Sequence, residues 1–232
     1  MPIIQRKAES ETTQAIWRIE EPEAWFLEQL QLNDAERVQL EEIKGWRRTE
    51  WLAVRHLVAT MLPDHERPVL VKDEYGKPFL HNSSLHVSIS HSHHLAAAML
   101  SEQVIGIDIQ KIVAKIERLA PRFLSENELA FIHPGANRLE QLHVCWCAKE
   151  ALYKAYGKRE IDFCDHLFLD PFVYTLEGGT FQGRVLKGEY DERFDLRYSM
   201  VEDCMLVTAV VAPTPILRAN DHPVYANPHV RT

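Results

Sequence analysis

The segment Val104–Gln110 reads VIGIDIQ and alternates apolar and polar or small residues over most of its length. Successive side chains of a β-strand point to opposite faces, so this alternation predicts a strand with its isoleucines on one face. The other face carries a glycine, a carboxylate and an amide, from Gly106, Asp108 and Gln110. Two oxygen-bearing side chains therefore point the same way, beside a residue that leaves space.

A second segment, WCAKEALYK at Trp146–Lys154, lies within an apolar stretch that predicts a largely buried helix from Leu139 to Tyr156. Glu150 and Lys154 are one turn apart and share a helix face. An exposed ion pair of this kind contributes only about 0.2–0.5 kcal/mol. A buried carboxylate costs roughly several kcal/mol unless a partner or a metal compensates it, so we expect Glu150 to have one.

The two segments together suggest a site for a hard cation. Mg²⁺ binds through oxygen, commonly with one or two carboxylates, substrate phosphates and waters. Asp108, Gln110 and Glu150 would supply such a set, and Lys149 and Lys154 would face the phosphate charge. An ordinary polar strand face and a structural ion pair remain the alternatives.

The rest of the chain alternates helical and strand patterns. Pro22 opens a short helix, and Asn33 with Glu36 predicts a capping box for a long helix running toward Leu62. Residues 112–157 are helical in pattern, with Gly157 as the C-cap. Strands are predicted at 16–19, 69–82 (as strand, turn, strand), 85–90, 95–100, 104–110, 167–174, 180–186, 194–200 and 205–211.

Each half of the chain thus runs from a long helix into a set of strands. This echo predicts an α+β fold of two similar lobes, residues 1–101 and 102–212, with a seam near Ser101. Residues 213–232, rich in proline, asparagine and histidine, are expected to form a loose tail.

Composition excludes several classes of protein. The formal net charge of -8 argues against general nucleic-acid binding, which depends on neutralising phosphates with lysine and arginine. No apolar run reaches the roughly 20 residues that cross a bilayer, and no signal peptide is evident. Four irregularly spaced cysteines do not make a disulfide framework. We therefore expect a cytoplasmic protein that does not bind membranes.

Both segments resemble the signature of the 4′-phosphopantetheinyl transferase superfamily. Gly106-Ile107-Asp108 is similar to its first motif, and Trp146–Lys154 is similar to its second, about forty residues later. Phe123–Glu128 resembles a segment that lies between them. Upstream, Gly76–Phe79, Val87–Ser92 and Arg47–Arg55 resemble elements of the larger, surfactin-synthetase-activating type.

The resemblance implies a fold and an activity. The fold would be a pseudo-dimer of two lobes, each with a long helix packed on a small antiparallel sheet, with the active site at the lobe interface. The protein would be a monomer that transfers the 4′-phosphopantetheine group of coenzyme A to a serine of an apo acyl or peptidyl carrier protein. The reaction would need Mg²⁺ and release 3′,5′-ADP.

The resemblance also implies residue roles. Asp108 and Glu150 would hold Mg²⁺, Glu150 would act as general base, and Lys154 would stabilise the leaving group. Gln110 stands where the larger type often has a third acidic residue, so its part as a metal ligand differs from the family pattern. The residues expected to contact coenzyme A are Arg48, Arg55, Lys77, His91, Lys149 and Lys154.

Three other interpretations stay open at this point. Gln110 is compatible with a catalytically silent relative that only binds coenzyme A or a carrier. The histidines at 81, 86, 91, 93 and 94 suggest a zinc hydrolase. Lys111, Lys115, Arg118 and Arg122 would form one basic stripe if their segment is helical, as a solvated face or as a docking surface for an acidic carrier.

Overall fold

The computed structural model describes residues 3–9, 11–62, 69–81 and 83–213. Their strands are β1 (Ile3–Glu9), β2 (Thr12–Arg18), β3 (Leu70–Lys72), β4 (Pro78–Leu80), β5 (His86–Ser92), β6 (Leu95–Ser101), β7 (Ile105–Lys111), β8 (Leu167–Leu169), β9 (Gly179–Lys187), β10 (Tyr190–Val201) and β11 (Cys204–Val211). Their helices are α1 (Glu23–Leu30), α2 (Asp34–Glu42), α3 (Trp46–Met61), α4 (Ile116–Leu119), a 3-10 turn (Ala120–Arg122), α5 (Glu126–Phe131) and α6 (Arg138–Tyr156).

The strands form two main antiparallel sheets and a small hairpin. The first sheet has the order β1-β2-β6-β5, the second has the order β7-β11-β10-β9-β8, and β3 pairs with β4. The two sheets share a connection pattern. In the first, helices follow β2, and β6 of the later β5–β6 hairpin pairs with β2; in the second, helices follow β7, and β11 of the later β10–β11 hairpin pairs with β7. The predicted class, mixed α and β with antiparallel sheets, is confirmed.

Three apolar cores hold these layers together. One packs α1 and α3 on the first sheet around Phe26 and Leu57, and another packs α6 on the second sheet around Leu152 and Phe194. The third core joins strands of both sheets and contains the isoleucines of β7. Since Ile105, Ile107 and Ile109 lie in that core, the predicted apolar face of β7 is confirmed.

The opposite face of β7 is covered by α6. A Cβ atom added to Gly106 would lie 1.9 Å from the backbone oxygen of Ala151. The space that the glycine leaves is therefore filled by the helix backbone, and the helix can approach the strand closely only because position 106 has no side chain. This approach brings the polar face of β7 next to the second motif.

The N-terminal helix pattern is partly corrected. The capping box is confirmed, because the Asn33 Oδ1 accepts from the Glu36 N–H at 2.9 Å and the Glu36 Oε2 accepts from the Asn33 N–H at 3.1 Å. The single long helix toward Leu62 is wrong: it is divided into α2 and α3. Ile43 is extended and Gly45 has φ +63, a conformation that suits glycine and interrupts the helix.

The helices and strands differ from the predicted pattern in two further places. The strand β1 was not predicted, and the helical stretch 112–157 is divided into α4, the 3-10 turn, α5 and α6. Within the described ranges, no helix has both the length and the apolar character needed to span a bilayer. The predicted loose tail lies, from residue 214 onward, outside the described residues.

Candidate active site

Asp108 lies at the contact between β7 and α6. Its side chain is buried, and its Oδ1 accepts from the Ser90 hydroxyl at 2.7 Å, from the Lys154 ammonium at 2.7 Å and, at 3.5 Å, from the Gln110 amide nitrogen. Its Oδ2 accepts from the Gln110 amide nitrogen at 3.2 Å. The carboxylate is thus anchored by one residue of each sheet and by the helix.

Glu150 lies on α6, one turn before Lys154, and is half-buried. Burial and, to a smaller extent, the negative charge of Asp108 together raise the pKa of its carboxyl to about 7, although Lys154 partly opposes them. The two carboxylates are therefore close enough for the charge of one to oppose the ionisation of the other. A carboxyl group with a pKa near 7 can accept a proton at physiological pH.

The side chains at this point fit a hard divalent cation. Asp108 and Glu150 offer two carboxylates, which are oxygen donors. The Gln110 amide turns its nitrogen toward Asp108, so its oxygen would join them only after rotation of the amide. A cation beside the two carboxylates would also remove the repulsion that contributes to the raised pKa of Glu150. Within residues 3–9, 11–62, 69–81 and 83–213, no three His, Cys, Asp or Glu side chains group as a metal site.

A basic groove leads away from the carboxylates. It consists of a cleft of ≈ 280 Å³ with Lys77 and Lys154 in its walls and an adjacent cleft of ≈ 160 Å³ with Arg55 and His91 in its walls. The two clefts share Lys72, Pro78 and Ile89. The structure therefore brings four of the six residues predicted to contact coenzyme A, namely Arg55, Lys77, His91 and Lys154, to one continuous surface. We call the surface formed by these four residues and Lys72 the basic groove.

At one end of the groove, Arg55 is held rigidly. Its guanidinium lies 3.2 Å from the centroid of the Trp51 ring, and its Nε is 3.7 Å from the Glu36 Oε1. Beside it, the His91 Nδ1 lies 3.3 Å from the Glu50 Oε2, and the Glu50 side chain is buried while the imidazole is half exposed. Arg55, whose side chain is only 6% exposed, and the half-exposed His91 thus line the cleft in front of buried carboxylates, and both are of the kind that binds phosphate.

At the other end, Lys77 reaches from the β3–β4 hairpin to the end of α6. Its ammonium donates to the backbone oxygen of Ala155 at 2.8 Å, at the negative end of the helix dipole. Burial lowers the pKa of Lys77, and the charge of Asp73 partly opposes this effect. A Cβ atom at Gly157 would lie 2.2 Å from the Lys77 Cδ, so the glycine C-cap makes room for the lysine stem.

Two predicted ligand contacts are not brought to the groove. Arg48 donates to the Glu23 carboxylate at 2.8 Å and to the backbone oxygens of Leu40 and Ile43, so its guanidinium joins α1, the end of α2 and α3. The Lys149 side chain is fully buried, with its ammonium 2.7 Å from the Glu128 Oε2 and 2.7 Å from the Phe163 oxygen. Both side chains thus contact other parts of the protein and do not line the basic groove, and their contact with phosphate stays a prediction.

Three buried residues of this region were missed in the sequence. Ser90 donates to Asp108, Glu50 contacts His91, and Glu128 accepts from Lys149. The serines of VSISHS at Val87–Ser92 do occupy every second position, which is a detectable strand signal. The partners of Glu50 and Glu128 come from distant parts of the chain, and no local pattern identifies them.

The histidines do not form a zinc site. His91 contacts Glu50, whereas His93 lies 3.2 Å from the Lys111 ammonium and its ring centroid is 4.0 Å from that of His94. None of these side chains belongs to a group of metal ligands in the part of the chain that the structure describes. The zinc hydrolase interpretation therefore has no geometric support.

The basic stripe is present in altered form. Lys111 ends β7 and pairs with Asp203 at 3.0 Å, so it is not part of a helix with the other three residues. Lys115, Arg118 and Arg122 are exposed along α4 and the 3-10 turn. A positive surface remains, although it is shorter than the spacing predicted.

A larger cleft of ≈ 610 Å³ lies elsewhere, between the two sheets, and its walls include Lys7, Gln14, Asp195 and Arg197. It contains none of the residues predicted for the site. Its size alone does not make it the place of the chemistry, because the coupled carboxylates and the basic groove lie outside it.

Comparison with known proteins agrees with the two motifs. The model of the 4′-phosphopantetheinyl transferase superfamily matches residues 104–196. The chain is 30% identical over 135 residues to the 4′-phosphopantetheinyl transferase gsp of Aneurinibacillus migulanus, covering 57% of this chain and 53% of the relative. It is 33% identical over 89 residues to the 4′-phosphopantetheinyl transferase of Bacillus subtilis, covering 37% of this chain and 39% of the relative.

The matched region includes Asp108, Gln110, Glu150 and Lys154. The resemblance to this superfamily is therefore confirmed. The matches span about half of the first relative and less of the other.

Proposed function

We propose that this chain, which resembles a superfamily of transferases, moves the 4′-phosphopantetheine group of coenzyme A onto a serine of an apo carrier protein. The observation that supports the proposal most is the pair of coupled carboxylates, Asp108 and Glu150, at the end of a groove lined by cations. Coenzyme A carries a diphosphate and a separate 3′-phosphate. A cation held by carboxylates would bind the diphosphate, and basic side chains would bind the 3′-phosphate.

The basic groove would hold the nucleotide end of coenzyme A. Arg55 and His91 would contact the 3′-phosphate, and Lys77 and Lys154 would lie along the diphosphate. Arg55 and His91 are suited to this because their buried partners restrict their side chains before a ligand binds. The groove would thereby place the diphosphate beside Asp108 and Glu150.

Asp108, Glu150 and Gln110 would hold Mg²⁺, which when bound supplies positive charge to the diphosphate. Glu150 would accept the proton of the carrier serine hydroxyl, directly or through a water. The serine oxygen forms a bond to the β-phosphorus, and the bond from that phosphorus to the bridging oxygen breaks. The Lys154 ammonium stabilises the negative charge on the departing 3′,5′-ADP.

The proposal includes an arrangement of two lobes, residues 1–101 and 102–212, with the site at their interface. The contacts support it, since Ser90 and Lys77 belong to the first range, while Asp108 and Ala155 belong to the second. The repeated strand order of the two sheets also fits a pseudo-dimer that acts as a monomer. We place the protein in the cytoplasm, where coenzyme A and carrier proteins meet.

The carrier would dock on a positive surface. Lys115, Arg118 and Arg122 are exposed on a chain whose net charge is -8, and an acidic carrier would be attracted to this local patch. Carriers of fatty acid, polyketide or nonribosomal peptide synthesis share that chemistry.

The test is a transfer assay read by intact-protein mass spectrometry. The protein, coenzyme A, Mg²⁺ and each of several apo carriers are incubated together, and the carrier should gain the mass of the phosphopantetheine arm. The gain should disappear with a chelator and in Glu150→Gln. If no carrier gains mass, the proposal fails. Tight binding of coenzyme A without transfer, unchanged by Glu150→Gln, would instead favour the silent relative, in which the neutral Gln110 leaves the metal site too weak.

A further inference from the structure

Strands β5 and β7 lie side by side, joined by a row of serine hydroxyls. The Ser88, Ser90 and Ser92 hydroxyls accept from the backbone N–H groups of Ile107, Ile109 and Lys111, at 3.0, 3.2 and 2.9 Å. Each donor lies 19 residues after its acceptor, so the two strands run in the same direction with a fixed register. Serine hydroxyls of β5 thus accept the hydrogen bonds that backbone oxygens accept within a sheet. These bonds join the edge strand of the first sheet to the edge strand of the second.

Ser90 differs from its two neighbours in this row. Its hydroxyl oxygen accepts from the Ile109 N–H, and its hydroxyl hydrogen is available to donate to the Asp108 Oδ1 at 2.7 Å. A hydroxyl has one donor and two acceptor sites, so both bonds can form together. The short bond to a buried carboxylate is of the strong, charge-assisted kind.

The geometry points to Ser90 as a positioning residue for the cation site, an inference that rests on the proposed function. With Lys154, the hydroxyl fixes the Oδ1 of Asp108, so the Oδ2 faces Gln110. Because Ser90 is held by β5, the register of the first sheet sets the orientation of a carboxylate of the second. When a residue that hydrogen-bonds to a metal ligand is replaced, the metal affinity typically falls about 10–100-fold.

Ser92 supplies a matched control. It accepts a backbone N–H in the same row at 2.9 Å, and no hydrogen bond from its hydroxyl to a carboxylate is found within the described residues. Ser90→Ala and Ser92→Ala therefore each leave one strand N–H without its acceptor, but only the first also releases Asp108. The difference between the two variants isolates the bond to the carboxylate.

The experiment measures binding of Mn²⁺, as a probe of the hard-cation site, by electron paramagnetic resonance on the full chain without a carrier. Ser90→Ala should raise the Kd about 10–100-fold, whereas Ser92→Ala should stay within about threefold of the wild type. Ser90→Thr, which keeps the hydroxyl, should restore most of the affinity. Thermal unfolding without metal should show a loss in both alanine variants, and the loss should be larger in Ser90→Ala, which also removes the bond to the buried Asp108.

The outcomes separate this inference from the proposed function. If the wild type binds Mn²⁺ and Ser90→Ala binds it equally well, or no worse than Ser92→Ala, the positioning role is wrong and the cation site stands. If the wild type binds no Mn²⁺, the cation site is wrong and this inference with it. Where Ser90→Ala does not fold, Ser90→Cys keeps the shape with a weaker donor, and the same comparison applies.

Discussion

Helix α6 carries two clusters of charged side chains, and they differ in how completely the buried charges are paired and hydrogen-bonded. On one side Lys149 pairs with Glu128, whose carboxylate also accepts from the Ser125 hydroxyl, the Ser125 N–H and the Leu169 N–H. On the other side Glu150 lies near Asp108 and Lys154, and burial together with the Asp108 charge raises its pKa to about 7. In the first cluster one carboxylate has four donors. In the second, Ser90, Gln110 and Lys154 donate to Asp108, and one ammonium lies near two carboxylates.

This difference supports a structural role for the first cluster and the functional role that we propose for the second. A buried ion pair with all its hydrogen bonds made fixes the packing of the elements that it joins, here α5, α6 and the end of β8. A cluster with an excess of negative charge is costly unless a cation joins it, and it is open to the basic groove. The second cluster is therefore the one suited to bind and react.

The largest expected effect is on activity. Glu150→Gln keeps the size of the side chain but removes both the proton acceptor and one metal ligand, so transfer to a carrier should fall by about 10²–10⁴-fold. The measurement is initial rate by mass spectrometry, with Glu126→Gln on the exposed surface of α5 as control. A Glu150→Gln variant with near wild-type rates would remove the functional side of the comparison.

The next effect is on stability. Lys149→Met leaves the Glu128 carboxylate buried without its cation, and the free energy of unfolding in urea should fall by about 3–5 kcal/mol. Lys154→Met is the matched control: its ammonium is partly exposed, so a smaller loss is expected. Equal losses in the two variants would mean that the two clusters do not differ as described. Lys149→Met with Glu128→Leu should recover part of the loss.

A third prediction concerns pH. The pKa of Glu150 is raised from 4.5 to about 7 on folding, so between these values the native state keeps a proton that the unfolded state has lost. The contribution of this group to the free energy of unfolding is full below pH 4.5 and is lost as pH rises through 7. Without metal, Glu150→Gln should therefore gain stability relative to the wild type by on the order of 1–3 kcal/mol at pH 8 and show little difference near pH 4.5.

Urea unfolding of both proteins at several pH values between 5 and 8 checks this prediction. Added Mg²⁺ should reduce the difference at pH 8, because the cation stabilises ionised Glu150 in the wild type. If the stability difference between the two proteins does not depend on pH, burial and the Asp108 charge do not disfavour the ionised form of Glu150.

The smallest expected effect tests the contact between β7 and α6. In Gly106→Ala the new Cβ would meet the Ala151 backbone oxygen at 1.9 Å, so strand and helix must separate. We expect a loss of about 1–3 kcal/mol in unfolding free energy, weaker Mn²⁺ binding and an unchanged Lys149–Glu128 cluster. Gly188→Ala, at a turn with open space, is a control for the loss of a glycine, although its φ of +59 adds some strain. Full Mn²⁺ affinity in Gly106→Ala would contradict the role given to this close approach.

The sequence predicts those parts of the site that depend on local periodicity. Alternation along β7 places Asp108 and Gln110 opposite the isoleucines, and Asn33 with Glu36 marks a helix start that the structure confirms. Helical spacing also places Glu150 and Lys154 together. The same spacing puts Lys149 roughly 140° away from Lys154 around the helix, which the prediction of both lysines at the phosphates did not take into account.

The remaining features depend on contacts between distant residues. Helical spacing predicts the position of Arg48, but its guanidinium donates to the carboxylate of Glu23, 25 residues earlier in the chain. The interruption at Gly45 requires a positive φ that composition alone does not reveal. Ser90 reaches Asp108 only because two sheets meet along β5 and β7. Local patterns identify which side chains could react, and tertiary packing decides which of them do.

In the function that we propose, Asp108 and Glu150 share one divalent cation that binds the diphosphate of coenzyme A. A crystal grown with Mn²⁺ and coenzyme A, measured at a wavelength where manganese scatters anomalously, tests it directly. The claim predicts a single strong anomalous peak within bonding distance of oxygens from both carboxylates and from the diphosphate. A peak bound by only one of the carboxylates, or a diphosphate bound away from them with no peak between, would contradict it.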